Sequence, residues 1–243
     1  MAQKLKFGNG TWATKEGSTL AYNDENNNFK PLPFTTTRDS IATRVNKEGL
    51  IEVVGNDKPR IDYTDSADGV LLLENSATNL FEYSEDFSNS YWTKDGASVT
   101  DEQSSPNGKT DAYKLIEGSN NGVHRVGRAT FTANVERTFS VFAKKGERDY
   151  ISLFENNTSS PSIKGVIFNL DNGTYYNNNS SYYSNVKIEL ISNGWYRCSA
   201  TMTNAGLQVP SIGVSEDGLT NSYQGDGTSG VYIYGAMLEQ NSV

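Results

Sequence analysis

The residues best suited to bind a ligand are four tyrosines in the segment "GTYYNNNSSYYSN". Tyr175, Tyr176, Tyr182 and Tyr183 flank a run of Asn and Ser side chains. Tyrosine offers a flat apolar face and a hydroxyl at a low cost in conformational entropy, and Asn and Ser both donate and accept hydrogen bonds. Sugars have apolar ring faces and hydroxyl edges, so this segment predicts a glycan-binding loop. Packing against a neighbouring subunit is an equally good interpretation.

A second aromatic segment, "NLFEYSEDFSNSYWTK", spans residues 79–94 and sets several rings among Ser, Asn and Asp. Its spacing fits neither a regular helix nor a regular strand. We predict that these rings mainly pack at the base of a folded domain. Trp92 is a further candidate for stacking on a sugar.

Patterns for catalysis or zinc binding are sparse. His124 is the only histidine and Cys198 the only cysteine, which argues against a Ser-His-Asp triad or a zinc site within one chain. The residues around Cys198, "WYRCSATMT", alternate like a strand, so a buried and inert thiol is predicted. Acidic residues are so numerous that carboxylate pairs carry no signal. We therefore expect no catalytic residues, no enzyme activity and no cofactor.

Calcium is the one ion that the sequence leaves open as a possible cofactor. Ca²⁺ prefers carboxylate and carbonyl oxygens, and the turns "NLDNGTY" and "SEDGLTNSYQGDG" are rich in both. Neither turn has the spacing of an EF-hand loop.

Charge and hydropathy exclude two classes of partner. The chain has 243 residues, of which 29 are acidic and 21 basic, for a net charge of −8. Non-specific nucleic-acid binding needs Lys and Arg against phosphates, and no long basic run supplies them. No apolar stretch approaches the roughly 20 residues of a membrane-spanning helix, and no signal peptide is recognisable. We expect neither nucleic-acid binding nor membrane insertion.

From about residue 90 onward, the chain reads as a series of strands without helices between them. In "RTFSVFAKK", Phe142 shares a face with Ser140 and lies opposite Val141. In "GWYRCSATM", Trp195 and Arg197 fall on the face opposite the apolar one. Such a series implies antiparallel pairing and two packed sheets, so residues 79–243 are predicted to form a β-sandwich of the jelly-roll type.

The first 78 residues are predicted to form two smaller parts of an all-β chain. Residues 1–34 contain few apolar residues, and "NDENNNFKPLPF" combines a polar turn with a proline-constrained extended segment. They are expected to form an extended arm that packs on its own chain or on a partner. In residues 35–78, "GLIEVV", "RIDY" and "GVLLLE" predict short strands separated by turns, hence a small β-rich segment.

The order of these motifs resembles a segment found in virion proteins of tailed bacteriophages. The matching elements run from Arg38 to Glu52, Pro59 to Tyr63, Leu71 to Leu80 and Tyr83 to Trp92. The end, "GVYIYGAMLEQNS", resembles the closing strand of the jelly roll that usually follows in these proteins. The start, "FGNGTWATKEGSTLAYND", is similar to the beginning of such proteins in phages of Bacteroidetes, including the crAss-like group.

The resemblance implies a structural virion protein, a head fibre or tail fibre, that forms a homotrimer. It implies that residues 1–34 attach to phage capsid or tail proteins through Leu5, Phe7 and Trp12 and that residues 35–78 link or oligomerise the chains. The sandwich, similar to carbohydrate-binding domains, would face host surface glycans. The family pattern brings no catalytic residues. A free carbohydrate-binding module or a small glycan-active enzyme is the alternative.

Overall fold

The structure is a computed structural model that describes residues 11–15, 17–74, 77–128, 135–155, 165–177, 180–202 and 209–240. Within these ranges every regular element is a β-strand, and the paired strands are antiparallel. Internal contacts divide the chain into two compact units, one of residues 1–76 with Val243 and one of residues 77–242. A search of the described residues finds no helix long and apolar enough to cross a membrane.

The first unit consists of a three-stranded sheet, in the order β1-β2-β3, and two hairpins, β4-β5 and β6-β7. Its strands are β1 (Trp12–Lys15), β2 (Thr19–Asn23), β3 (Phe29–Thr35), β4 (Ala42–Val45), β5 (Ile51–Val54), β6 (Ile61–Asp62) and β7 (Val70–Leu71).

A small hydrophobic cluster holds the first unit together. Leu20 and Leu32, from the three-stranded sheet, pack with Ile61 and Leu71, and Trp12 lies against them. The described part of the predicted arm is therefore ordered by contacts with its own chain. Of the predicted attachment residues, Leu5 and Phe7 lie outside the described residues, and the attachment role of Trp12 stays a prediction.

Among its described residues, the second unit contains two six-stranded sheets and one short two-stranded pair. Its strands are β8 (Thr93–Asp95), β9 (Ala97–Gln103), β10 (Ala112–Glu117), β11 (Asn121–Val123), β12 (Arg125–Gly127), β13 (Arg137–Lys145), β14 (Tyr150–Glu155), β15 (Gly165–Asn169), β16 (Thr174–Asn177), β17 (Tyr183–Ser192), β18 (Trp195–Met202), β19 (Pro210–Ser215), β20 (Ser222–Gln224) and β21 (Gly230–Gln240). Sheet 1 has the order β17-β18-β13-β21-β10-β9, sheet 2 has the order β16-β15-β14-β19-β12-β8, and β11 pairs with β20.

The two sheets enclose one hydrophobic core. Apolar side chains at alternate positions of both sheets meet there, among them Val141 and Ile233 from sheet 1 and Leu153 and Ile212 from sheet 2. Period-two alternation explains why these strands form, since each buries one face and leaves the other outside. The predicted all-β fold with an antiparallel β-sandwich is confirmed.

The aromatic segment of residues 79–94 supplies part of this core. Phe81, Phe87 and Trp92 are all buried in it. The Trp92 ring lies 4.8 Å from Phe81 and 5.1 Å from Phe87, centroid to centroid, and its Nε1–H donates to the Tyr83 carbonyl at 2.8 Å. Burying rings of this size contributes a large apolar area to stability.

Candidate functional site

The structure separates the four predicted tyrosines. Tyr175 and Tyr176 are adjacent on β16, at the edge of sheet 2, and each is 49% exposed. Tyr175 pairs with Phe168, a core residue, whereas Tyr176 pairs with Ile167 on the opposite face. Because successive strand residues point to opposite faces, these two rings cannot form one flat surface.

The other predicted ligand residues differ in exposure. Tyr182 is exposed on a turn. Tyr183 lies in the core, where its hydroxyl accepts a hydrogen bond from the Glu155 N–H at 3.1 Å. Trp92 is 2% exposed. Neither Tyr183 nor Trp92 has a ring face available to a ligand in this structure, so only Tyr175, Tyr176 and Tyr182 remain candidates from the original set.

A different group of aromatic and polar side chains meets on the outer face of sheet 1. Cross-strand pairing sets six of them in two rows across β18, β13 and β21. The rows are Arg197–Phe142–Tyr234 and Trp195–Lys144–Tyr232, and together they are called the outer grid.

Strand alternation fixes the outward direction of the grid. The intervening residues Val141, Ala143, Cys198 and Ile233 lie in the core, so their neighbours along each strand point away from it. The register of β21 depends on one extra residue, Gly235, at φ +57°. A Cβ at this position would lie 3.3 Å from the Phe142 ring, so glycine provides both the backbone conformation and the space for that ring.

The rings of the grid belong to one apolar cluster. Trp195, Tyr234 and Ala112 are buried in one cluster, and Phe142 and Tyr232 pack against it while remaining half-buried. The Phe142 and Tyr234 centroids are 6.3 Å apart with planes inclined by 44°. Trp195 and Tyr234 thus serve as a base, and Phe142 and Tyr232 retain exposed area for contact with a ligand.

Polar groups border the grid beside Tyr234. The Tyr234 hydroxyl donates to Glu85 Oε1 at 2.9 Å and accepts from Asn107 Nδ2 at 2.9 Å. Asn107 Nδ2 also donates to Asp111 Oδ2 at 3.1 Å. Burial, followed by the charge and hydrogen bond of Glu85, raises the pKa of Tyr234. The hydroxyl therefore stays protonated and fixes the positions of the carboxylate and the amide beside the grid.

The two cations of the grid form no salt bridge with the residues that the structure describes. In the described part of the chain, neither Lys144 nor Arg197 makes a salt bridge, although both are half-buried. Lys114, the next residue in the row of Lys144, differs because its Nζ lies 2.7 Å from Glu147 Oε2. Within the described part of the chain, the grid therefore combines apolar rings, two cations that make no salt bridge and a border of hydrogen-bonding groups.

Nucleophiles and metal ligands are not gathered at this face. Cys198 is buried as predicted, and burial raises the pKa of its thiol. His124 is also buried, with Nδ1 2.6 Å from the Gly96 carbonyl oxygen. Among the residues that the structure describes, no group of three or more His, Cys, Asp or Glu side chains could hold a metal ion.

The two oxygen-rich turns use their side chains locally. Asn172 Oδ1 accepts from the Thr174 N–H, and Asp217 Oδ1 accepts from the N–H groups of Leu219 and Thr220. Such turns are satisfied without an ion. The calcium alternative stays a prediction.

Sequence reasoning placed Phe142, Trp195 and Arg197 on the outer faces of their strands without identifying a site. The available signal was a large ring on the otherwise polar face of a strand, beside Ser140 in β13 and beside Arg197 in β18. The missing information was the register that makes β13, β18 and β21 neighbours.

No protein-family profile and no curated protein matches the chain. One solved structure that resembles it is from work on the structural basis for the promiscuous specificity of carbohydrate-binding modules from the beta-sandwich superfamily. It has a TM-score of 0.41 and 10% sequence identity, and the match covers 98% of this chain and 96% of that chain.

A second solved structure comprises the CBM22-1 and GH10 modules of the N-terminal endo-1,4-beta-D-xylanase 10B of Clostridium thermocellum, complexed with xylohexaose. Its TM-score is 0.38 and its identity 14%, and the match covers 68% of this chain and 28% of that chain. This chain thus spans less than a third of the xylanase structure. Both TM-scores are low, and neither likeness indicates a function for this chain.

Proposed function

We propose that the protein is a non-catalytic glycan-binding β-sandwich and that the outer grid binds the sugar. The observation that carries the proposal is the register of β18, β13 and β21, which brings the half-buried rings of Phe142 and Tyr232 together with polar side chains. An aromatic ring can cover the C–H face of a pyranose while adjacent groups bond to its hydroxyls. Because strands hold these side chains, little ordering is required on binding.

The polar border supports the same proposal. Glu85 is exposed and uses Oε1 for Tyr234, and a carboxylate has further lone pairs that can accept hydrogen bonds from sugar hydroxyls. Asn107 is held beside it through the Tyr234 hydroxyl. Fixed hydrogen-bonding groups next to an apolar surface are the usual composition of a small-molecule site.

A glycan array followed by titration with the retained glycans tests the proposal. Phe142→Ala and Tyr232→Ala are expected to weaken binding roughly tenfold, which corresponds to about 1.4 kcal/mol. Tyr176→Ala is the matched control, because it removes an exposed ring from the other sheet. Circular dichroism and thermal denaturation establish that each variant is folded.

Two results would count against the outer grid as the binding site. If Tyr176→Ala or Tyr182→Ala abolishes binding while Phe142→Ala binds normally, the site is the tyrosine segment predicted from the sequence. If no glycan on a broad array is retained by the folded protein, glycan binding itself is refuted. Turnover of a bound glycan would refute the non-catalytic assignment.

We propose that this protein is a structural component of a virion, in a head fibre or a tail fibre. The motif series between Arg38 and Trp92 supports this role, and the resemblance it carries further favours a homotrimer and attachment to capsid or tail proteins. Residues of the predicted arm share a cluster with Ile61 and Leu71, so removing residues 1–34 alone would disrupt the first unit. Deletion of residues 1–76 is the cleaner experiment, because the second unit has its own core.

The deletion is expected to abolish incorporation into phage particles while leaving glycan binding intact. Particles that still carry the truncated protein would refute attachment through the N-terminal unit. Light scattering of the full chain checks the trimer, and a stable monomer at micromolar concentration would refute it.

A further inference from the structure

We propose that the glycan held by the outer grid is acidic and carries its charge as carboxylates, as an oligouronate does. This inference rests on the proposed function and specifies its ligand class. The two cations of the grid, rather than its rings, point to this ligand class.

Arg197 and Lys144 are half-buried and lack salt bridges within the described residues, in a chain with 29 acidic and 21 basic residues. By contrast, Lys114 and Arg148 in the same unit are paired with carboxylates.

Other half-buried cations without a salt bridge, such as Arg38 and Lys94, donate to backbone carbonyls. Within the described residues, the two cations of the grid make no such hydrogen bond. The carboxylate opposite Arg197 in register, Glu189, is exposed and makes no salt bridge with it. A partly desolvated cation without an ion pair is unfavourable, and a bound anion would relieve that cost.

The register sets the two cations close together. Arg197 pairs with Phe142, and Lys144 pairs with Trp195 one row further along the same two strands. Diagonal neighbours of this kind have Cα atoms about 7–8 Å apart. Arg197 and Lys144 therefore occupy one diagonal, and Phe142 and Trp195 the other, so a ring and a cation lie next to each other in both directions.

This arrangement matches the chemistry of a uronate. Its sugar ring can lie on Phe142 while its carboxylate reaches Arg197, whose planar guanidinium binds carboxylates through two parallel hydrogen bonds. Lys144 can neutralise the same group or that of the next sugar. Glu189 lies opposite Arg197 on β17 and is exposed, so its negative charge opposes binding and provides a variant with the opposite expected sign.

Titration with oligogalacturonate and with its methyl ester tests the inference, because esterification removes the charges and leaves the sugar ring unchanged. Oligoguluronate and oligoglucuronate extend the panel to other uronates. The acid forms are expected to bind at least about tenfold more tightly than their neutral counterparts, a difference of about 1.4 kcal/mol. Binding is expected to weaken as ionic strength rises from about 0.1 M to about 1 M, because the Debye length falls from about 10 Å to about 3 Å.

Variants locate the effect. Arg197→Met is expected to abolish the preference for the acid form, Arg197→Lys to reduce it, and Glu189→Gln to increase affinity for the acid form. Lys58→Met is the control, since this exposed lysine belongs to the first unit.

Equal, salt-independent binding of acid and ester forms would overturn the inference while leaving glycan binding by the grid in place. Retention of the acid preference in Arg197→Met would also overturn it, because the charge would then be recognised elsewhere. Absence of binding to every glycan on the array would overturn the proposed function and this inference with it.

Discussion

A buried ion pair at one end of the sandwich provides a demanding test of the fold. Glu117 ends β10 with a side chain that is 0% exposed, and Arg148 follows β13. Arg148 donates through Nε and Nη2 to the two Glu117 carboxylate oxygens at 2.9 and 2.7 Å. The same carboxylate accepts from the Tyr223 hydroxyl at 2.6 Å and from the Asp226 N–H at 2.9 Å. One carboxylate therefore joins three segments of the second unit: the end of β10, the turn that contains Arg148 and residues 223–226.

Removing the cation is expected to be costly. Arg148→Met keeps an apolar stem of similar length but leaves a buried carboxylate without its counter-ion, and breaking such a pair typically costs about 3–5 kcal/mol. The Arg148 side chain is 18% exposed and two neutral donors remain on Glu117, so the lower end of that range, about 3 kcal/mol, is expected here.

Urea denaturation followed by circular dichroism measures this change in the free energy of unfolding. Asp171→Asn is the matched control, because it breaks the pair between Lys145 and Asp171, whose side chains are both about half exposed. Exposed pairs contribute roughly 0–1 kcal/mol. If Arg148→Met destabilises the protein no more than Asp171→Asn does, the argument that burial makes this pair essential is wrong.

The pair also predicts a dependence on pH. Burial alone would raise the pKa of Glu117, but hydrogen bonds from Arg148, Tyr223 and the Asp226 N–H outweigh it and leave that pKa lowered. A carboxyl whose pKa is lower in the folded state stabilises the protein above its ordinary pKa, and this stability is lost as the pH falls through the folded-state value. In Arg148→Met, the corresponding part of the acid destabilisation is expected to disappear.

Three further predictions concern the same unit. Burial raises the pKa of Glu155 from 4.5 to about 7, although the charge of Arg137 acts in the opposite direction. Because each pKa unit corresponds to about 1.4 kcal/mol, up to roughly 3 kcal/mol of folding stability is expected to be lost as the pH rises from about 4.5 to about 7. Glu155→Gln should remove that decline in urea titrations run between about pH 4 and pH 8, and an unchanged decline would refute it. Trp92→Ala should cost about 3–5 kcal/mol by removing a core ring, whereas Tyr176→Ala should change stability by less than about 0.5 kcal/mol; similar losses in the two variants would contradict the burial argument. Melting temperatures measured with calcium chloride and with a chelator are expected to agree, and a rise with calcium would establish the alternative of a bound ion.

The strands were predictable because one face of each is apolar. "RTFSVFAKK" and "GWYRCSATM" alternate with period two, and β13 and β18 form there with Val141 and Cys198 inside. The short pair β11 and β20 was not predicted, since "NGV" and "SYQ" are too brief to show any period. Strands β1 to β3 were missed for a different reason: their apolar residues are sparse and complete a core only with Ile61 and Leu71, far along the chain.

The candidate site was less predictable than the fold. A tyrosine run looks like a ligand surface in the sequence, but adjacent residues on a strand point in opposite directions, which separates Tyr175 from Tyr176. The buried position of Tyr183 depends on the packing of the β17 end beside Glu155. Neither fact is contained in local composition.

The outer grid shows why function is harder to derive from this sequence than architecture. In each strand, hydrophobic burial acts on every second residue, the one that faces the core. The period of two within the strand is therefore sufficient to predict which residues are buried. The outer residues acquire meaning only through their neighbours on other strands, and Phe142 meets Arg197 and Tyr234 across separations of 55 and 92 positions. A single extra glycine, Gly235, sets the last of these registers. An isolated ring on the polar face of a strand is therefore the feature to seek in such sequences, and cross-strand register is the information needed to decide what it does.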